Sequence, residues 1–298
     1  MGLLGKIAIY LEMIKFPHTV FALPFAFMGA VLAARGIPDW DKILWITIAM
    51  VGARSSAMGF NRLTDRHIDA MNPRTSKRAL PMGLVTPREV ILFITFFSFI
   101  FIYATYRLNP LAFSLSPVAL VIVFFYSYTK RLTWMSHIFL GIALSLAPAG
   151  AWIAVRGAID MPAIILGIAV VFWLVGFDIL YALQDIDFDR KAGIHSIPQL
   201  IGIKKSLLAS RFAHIATATF LFFLYPLMDL GVIYLSGVLI VVALLIYEHS
   251  LVKEDDLSRL DVAFFNMNGY ISITAFVFTL IDILTGSPQL SEIIKVIK

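Results

Sequence analysis

Residues 42–60 read KILWITIAMVGARSSAMGF and run on, with no proline, into 61–69, NRLTDRHID. An apolar stretch of this length matches the roughly 20 residues an α-helix needs to cross a hydrocarbon core about 30 Å thick, where no water satisfies the backbone. Apart from Lys42 at its edge, its only charge is Arg54. Eight further segments share this character, near 17–35, 89–107, 111–128, 135–155, 161–183, 207–226, 231–248 and 263–285. The chain therefore reads as an all-α, polytopic membrane protein, a bundle of nine transmembrane helices. Lys6 ahead of the first span and Leu32-Ala33-Ala34 within it mimic a signal peptide, but the eight later spans argue against that reading.

Composition agrees. Of 298 residues, 60% are hydrophobic and 14% charged, and the mean hydropathy is +0.87, which excludes an ordinary water-soluble domain. With no cysteine, neither disulfides nor thiolate zinc sites are available. The net charge of +5 is explained by orientation rather than by nucleic acid. With the N-terminus inside, Lys6, Arg62, Arg66, Arg74, Lys77, Arg78, Lys130, Arg131, Arg190, Lys191, Lys204 and Lys205 all fall on the cytoplasmic side. The other side keeps Arg35, Lys42, Arg107, Arg156 and the tail lysines 295 and 298. A multi-pass protein of the inner (plasma) membrane is expected, with its functional face cytoplasmic. No linker or low-complexity tract divides it, so residues 1–298 read as a single domain.

The two long cytoplasmic connections, near 61–88 and 184–206, follow two polar stripes. Arg54, Asn61, Asp65 and Asp69 step by seven, four and four residues, which places them on one helix face. Asp178, Asp185 and Asp189 repeat the seven-then-four step, and a basic loop with Gly and Pro follows each stripe, a pattern suggesting internal duplication of a four-helix unit. Acids at helix ends are often just solvated. Arg54 and Asp178, however, lie inside their spans, where an ionised group costs at least about 2.5–3.5 kcal/mol unless it is paired or lines a wet cavity. If the stripes face each other, the acids crowd the mouth of a central cavity that opens to the cytoplasm and sideways to lipid. Hard oxygen donors of this kind suit Mg²⁺, and the surrounding Arg and Lys suit a diphosphate whose apolar tail lies in a groove of Phe, Leu and Met. His67 and His195 flank the motifs.

These residues resemble a known family. Asn61-x3-Asp65-x3-Asp69, with Arg54 before it and Arg74-Thr75-x2-Arg78-x-Leu80-Pro81-x-Gly83 after it, is similar to the first signature of the UbiA superfamily of intramembrane aromatic prenyltransferases. Asp178-x2-Tyr181-Ala182-x2-Asp185-x-Asp187-x-Asp189 resembles its second, and Tyr126-x3-Lys130-Arg131 its inner loop; Asn266 or Asn268 also has a counterpart. Where many members carry Asn-Asp, this chain has Asn61-Arg62, a variant most like the 4-hydroxybenzoate polyprenyltransferase branch and its close relatives in menaquinone synthesis.

The resemblance implies an Mg²⁺-dependent transfer of a polyprenyl group from polyprenyl diphosphate to a ring carbon of a small aromatic acid, in respiratory quinone biosynthesis. It implies that Asn61, Asp65, Asp69, Asp185 and Asp189 hold the metal and that Arg74, Arg78, Tyr126 and Lys130 hold the leaving group, with Arg54 and Asp178 facing the acceptor. The alternatives are a naphthoate or futalosine-type acceptor, or a cation-coupled transporter, for which intramembrane charges also speak. Parallel rather than inverted motifs weigh against the transporter. Nothing calls for an obligate protein partner.

Overall fold

The computed structural model describes residues 3–15, 19–260 and 266–288. Every regular element among them is a helix: α1 (Leu3–Met13), α2 (Thr19–Ala34), α3 (Trp40–Met71), α4 (Pro87–Leu108), α5 (Pro110–Leu132), α6 (Ser136–Arg156), α7 (Met161–Ala182), α8 (Ile186–Ala192), α9 (Ile197–Leu227), α10 (Val232–Leu251) and α11 (Asn268–Thr285). Among the described residues, eight helices are long and apolar enough to cross a membrane. At the first expected span α2 is described over only 16 residues, and positions 17–18 and 263–265, at the starts of the first and last expected spans, lie outside the described residues.

Local chemistry sets the boundaries. α3 passes beyond residue 60, because no breaker intervenes before Asn72-Pro73. α4 opens on a capping box in which Thr86 and Glu89 satisfy each other's backbone N–H groups. At the opposite end of the bundle, Asn109 accepts from the Ala112 N–H at 2.8 Å and donates to the Ile153 carbonyl at 2.8 Å, joining the α4–α5 turn to the end of α6. α9 begins ten residues before the expected span at 207, because its first turn is set off by a kink at Gly202 (φ 78°), a backbone that L side chains rarely adopt.

Packing divides the bundle into two halves. α2, α6, α7, α9, α10 and α11 share a core of Phe25, Trp173, Leu221, Tyr234 and Ile271, with Phe25 and Trp173 rings 4.7 Å apart and the Tyr234 hydroxyl donating to the Leu221 carbonyl at 2.7 Å. α3, α4, α5 and α6 share another, around Ala49, Phe101, Leu120 and Ala143. Close backbone approach matters in lipid, where the hydrophobic effect does not drive helices together. A Cβ on Gly52 would lie 2.8 Å from the Phe101 backbone nitrogen, so α3 and α4 touch only because that residue is glycine. Leu92, Phe96, Phe99 and Tyr106 of α4 face outward, as lipid contact requires.

Candidate active site

Between the halves lies a cavity of about 1320 Å³. Residues Ile46 through Asp69 of α3 contribute to its wall, and at a rise of 1.5 Å per residue that is roughly 34 Å of helix axis, about the thickness of a hydrocarbon core. One end is charged and the rest apolar. The apolar wall carries the Leu, Met and Phe expected of it, among them Leu120, Leu144, Met50, Met58, Phe101 and Phe177, and small residues that the expectation left out. These include the alanines Ala49, Ala53, Ala57, Ala119 and Ala147. Small side chains leave the volume open, and most phenylalanines face lipid or pack elsewhere.

At the charged end, α3 presents Asn61, Asp65 and Asp69 as the spacing predicts, and all of them line the cavity, as does Arg54 one turn and more deeper. Asp65 is 2% exposed, and it accepts from Lys130 Nζ at 2.6 Å, Arg131 Nη2 at 3.2 Å and Asn61 Nδ2 at 3.0 Å. Lys130 and Arg131 are carried there by the last turn of α5, and Tyr126, one turn earlier, lines the same cavity. Asp69 accepts from Arg78 Nη1 at 2.7 Å through one oxygen, while its other oxygen, Oδ2, is buried with no protein partner.

The second stripe is not a continuous helix. α7 stops at Ala182, Leu183–Asp185 form a 3-10 turn, and α8 resumes at Ile186, so Asp178, Asp185 and Asp189 all line the cavity but from a jointed segment rather than one straight helix. Buried Leu183 and Ile186 hold the break against the core, and no proline or glycine announces it. Asp185 turns toward the loop after α3. There Arg74 Nε donates to its Oδ1 at 3.0 Å, Nη2 closes the fork on Oδ2, and Asn72 Nδ2 adds a bond of 3.0 Å. Arg74 also donates to the Tyr181 hydroxyl at 2.6 Å and lies 5.0 Å from that ring's centroid. Burial opposes the charge on Arg74, yet the hydrogen bond to Asp185 keeps its pKa above the ordinary arginine value. Asp189 accepts from Ser196 Oγ at 3.0 Å.

The acid-bearing ends, distant in the chain, thus meet at one cavity mouth, though not as a bare cluster of carboxylates. The acids do not crowd one another: Asp65, Asp69 and Asp185 each face a basic side chain, and among the described residues no group of three or more acid or histidine side chains is close enough to hold a metal. Pairing relieves the repulsion that the sequence alone suggested.

Other expectations shift as well. Arg62 lines the cavity with the other cations, but it is committed to a partner within the protein. It is 6% exposed, and its Nε donates to the Met13 carbonyl at the end of α1 at 3.1 Å. Arg54 Nη2 reaches the Lys15 carbonyl at 3.4 Å. Arg66, His67, Lys191 and His195 are exposed. Asn266 is exposed and Asn268 buried, and neither lines the cavity. His137, which no motif singles out, is 3% exposed at the start of α6 and lies 2.6 Å from Asp178 Oδ2. Only its place at the start of a span, level with the acids, could have drawn attention to it.

A bundle of membrane-crossing helices around a long apolar chamber with an acid-and-base mouth defines a class, the membrane prenyltransferases. The chain belongs to the UbiA prenyltransferase family, whose model matches residues 22–270. A 4-hydroxybenzoate octaprenyltransferase of Vibrio parahaemolyticus serotype O3:K6 is 33% identical over 248 residues, covering 82% of this chain and 85% of that protein. The structure of a UbiA homolog from Aeropyrum pernix K1 superposes with a TM-score of 0.81 at 33% identity, covering 89% of this chain and 98% of that one. That of a UbiA homolog from Archaeoglobus fulgidus bound to DMAPP and Mg²⁺ shares the fold, with a TM-score of 0.70 at 20% identity over 92% and 99% of the two chains.

Proposed function

We propose that this prenyltransferase moves a polyprenyl group from polyprenyl diphosphate onto a ring carbon of 4-hydroxybenzoate, the carbon ortho to the phenol oxygen. The observation that carries the reading is a single cavity, about 34 Å long, that joins a mouth of acids and bases to an alanine- and leucine-lined apolar chamber. The activity named for the Vibrio relative supports the acceptor. We further propose an inner-membrane location with the charged mouth cytoplasmic, a reading that the bias of Lys and Arg supports.

The donor set fits Mg²⁺: Asn61, Asp65, Asp69, Asp185 and Asp189 offer oxygen alone, and the buried, unpartnered Oδ2 of Asp69 is an acceptor that a hard cation satisfies. When bound, the metal would supply positive charge against the departing diphosphate. Arg74, Arg78 and Lys130 would bind phosphate oxygens by exchanging their carboxylate partners for a more highly charged one, and Tyr126, which lines the same cavity, would add its hydroxyl. The small-residue chamber takes the apolar tail and excludes water, which would otherwise trap the allylic cation. Arg54, deeper along α3, pairs with the acceptor's carboxylate, and Asp178 orients the phenol or takes the ring proton as the new carbon–carbon bond forms.

The test is Mg²⁺-dependent prenylation of 4-hydroxybenzoate by the purified chain in lipid vesicles, with a dihydroxynaphthoate offered in parallel. Product from the benzoate supports the proposal; product from the naphthoate alone overturns the acceptor assignment. Converting Arg54 to Ala is expected to raise the acceptor KM more than the prenyl-diphosphate KM, and equal changes would remove Arg54 from its role.

A further inference from the structure

His137 makes two hydrogen bonds, and together they fix its proton. Its Nε2 accepts from the backbone N–H of Ile197 at 3.2 Å, an amide that can only donate. The ring proton therefore sits on Nδ1, which donates to Asp178 Oδ2 at 2.6 Å. Ile197 is the first residue of α9, so its N–H belongs to the set that a helix start leaves without an intrahelical acceptor. A chain of donors thus runs from the α9 N-terminus through a buried imidazole on α6 to a carboxylate on α7 that lines the cavity.

We propose that His137 is a positioning residue for the transfer reaction: it holds Oδ2 of Asp178 and leaves Oδ1 for the phenolic hydroxyl of the acceptor. The inference rests on the role given to Asp178 above. A carboxylate at the end of a two-bond side chain turns freely about its terminal torsion. A donor fixed by a helix-end amide removes that freedom, in the way a buried carboxylate fixes the tautomer of a metal-ligating or catalytic histidine. At 3% exposure the imidazole is shielded from solvent, while the Asp178 side chain, 21% exposed, opens toward the cavity. Asn is the conservative replacement, because its Nδ2 stands close to where Nδ1 stood and can still donate to Asp178; Leu keeps bulk without a donor, and Gln places its amide too far out.

The experiment uses the full chain in vesicles, with 4-hydroxybenzoate and a short-chain prenyl diphosphate, and measures kcat and both KM values for His137→Leu, His137→Gln, His137→Asn and Asp178→Asn. His137→Leu and His137→Gln are expected to lose about tenfold or more in kcat/KM for the acceptor, with the prenyl-diphosphate KM within about twofold, and His137→Asn to recover most of the loss. If Asp178→Asn is impaired while every His137 variant behaves as the parent, the positioning role is overturned and the reading of Asp178 stands. If Asp178→Asn matches the parent, the reading of Asp178 falls first and takes this inference with it. Equal changes in both KM values, or no rescue by Asn, also overturn it. Should His137→Leu fail to fold, the contrast between Asn and Gln decides.

Discussion

α3 delivers Asn61, Asp65 and Asp69 on an unbroken helix that runs on to Met71, whereas α7 ends at Ala182 and hands Asp185 and Asp189 to a 3-10 turn and a helix of seven residues. The spacing of the acids is the same at both ends. Their partners are not: Asp65 is held from a neighbouring helix by Lys130 and Arg131, while Asp185 is held from a loop by Arg74 and Asn72. The first end is a rigid rail packed along α4, and the second is a jointed one clamped across the mouth by the loop that leaves the first. Equal motifs in the chain therefore do not mean equal mechanics in the fold.

The largest expected effect tests whether both ends serve one site. Asp65→Ala and Asp185→Ala should each lower kcat in vesicles by about 10²–10³-fold, the range for removing one electrostatic partner of a transition state. A variant of either end that keeps more than a tenth of the parent's turnover would break the shared-site reading. Next comes the clamp. Arg74→Ala should cost about tenfold or more in activity, and a double-mutant cycle with Asp185→Ala should show a coupling of about 1–3 kcal/mol in thermal unfolding in detergent; additive losses would mean that the fork of Arg74 on Asp185 adds nothing to the joint.

Smaller effects separate rail from joint. Gly52→Ala drives a Cβ to 2.8 Å from the Phe101 backbone nitrogen, an atom that cannot step aside, and should destabilise the α3–α4 pair by about 1–3 kcal/mol. Gly193, with φ 67° at the end of α8, has open space where a Cβ would stand, so Gly193→Ala should cost only the left-handed backbone penalty of about 1 kcal/mol. Hydrogen exchange should place the first loss on α3 and α4 and the second near α8; the reverse pattern would exchange the two descriptions.

Much of this is legible in the sequence, and what escapes it has physical causes. The spans are legible, because bilayer thickness forces a run of apolar residues. The first stripe is too, because nothing between 54 and 71 interrupts a 3.6-residue period. The second stripe's break is hidden, since buried Leu183 and Ile186 fit a helix as readily as a 3-10 turn. Arg62 reads as one more surface cation because its acceptor, the Met13 carbonyl, is a backbone atom that carries no signature in sequence. His137 and Asp178 are 41 positions apart and meet only through the packing of α6 against α7. The alanine wall escapes notice because an absence of bulk carries no signal until the helices around it are placed.

The tether between Arg62 and the last carbonyl of α1 carries a practical lesson for anyone who shortens or extends the amino end. That segment is fastened by a side chain rooted among the metal-site candidates, beside Asn61. A deletion of α1, or a fusion that pulls it aside, would release a buried guanidinium next to the acids of α3 and alter catalysis without touching any residue of either signature.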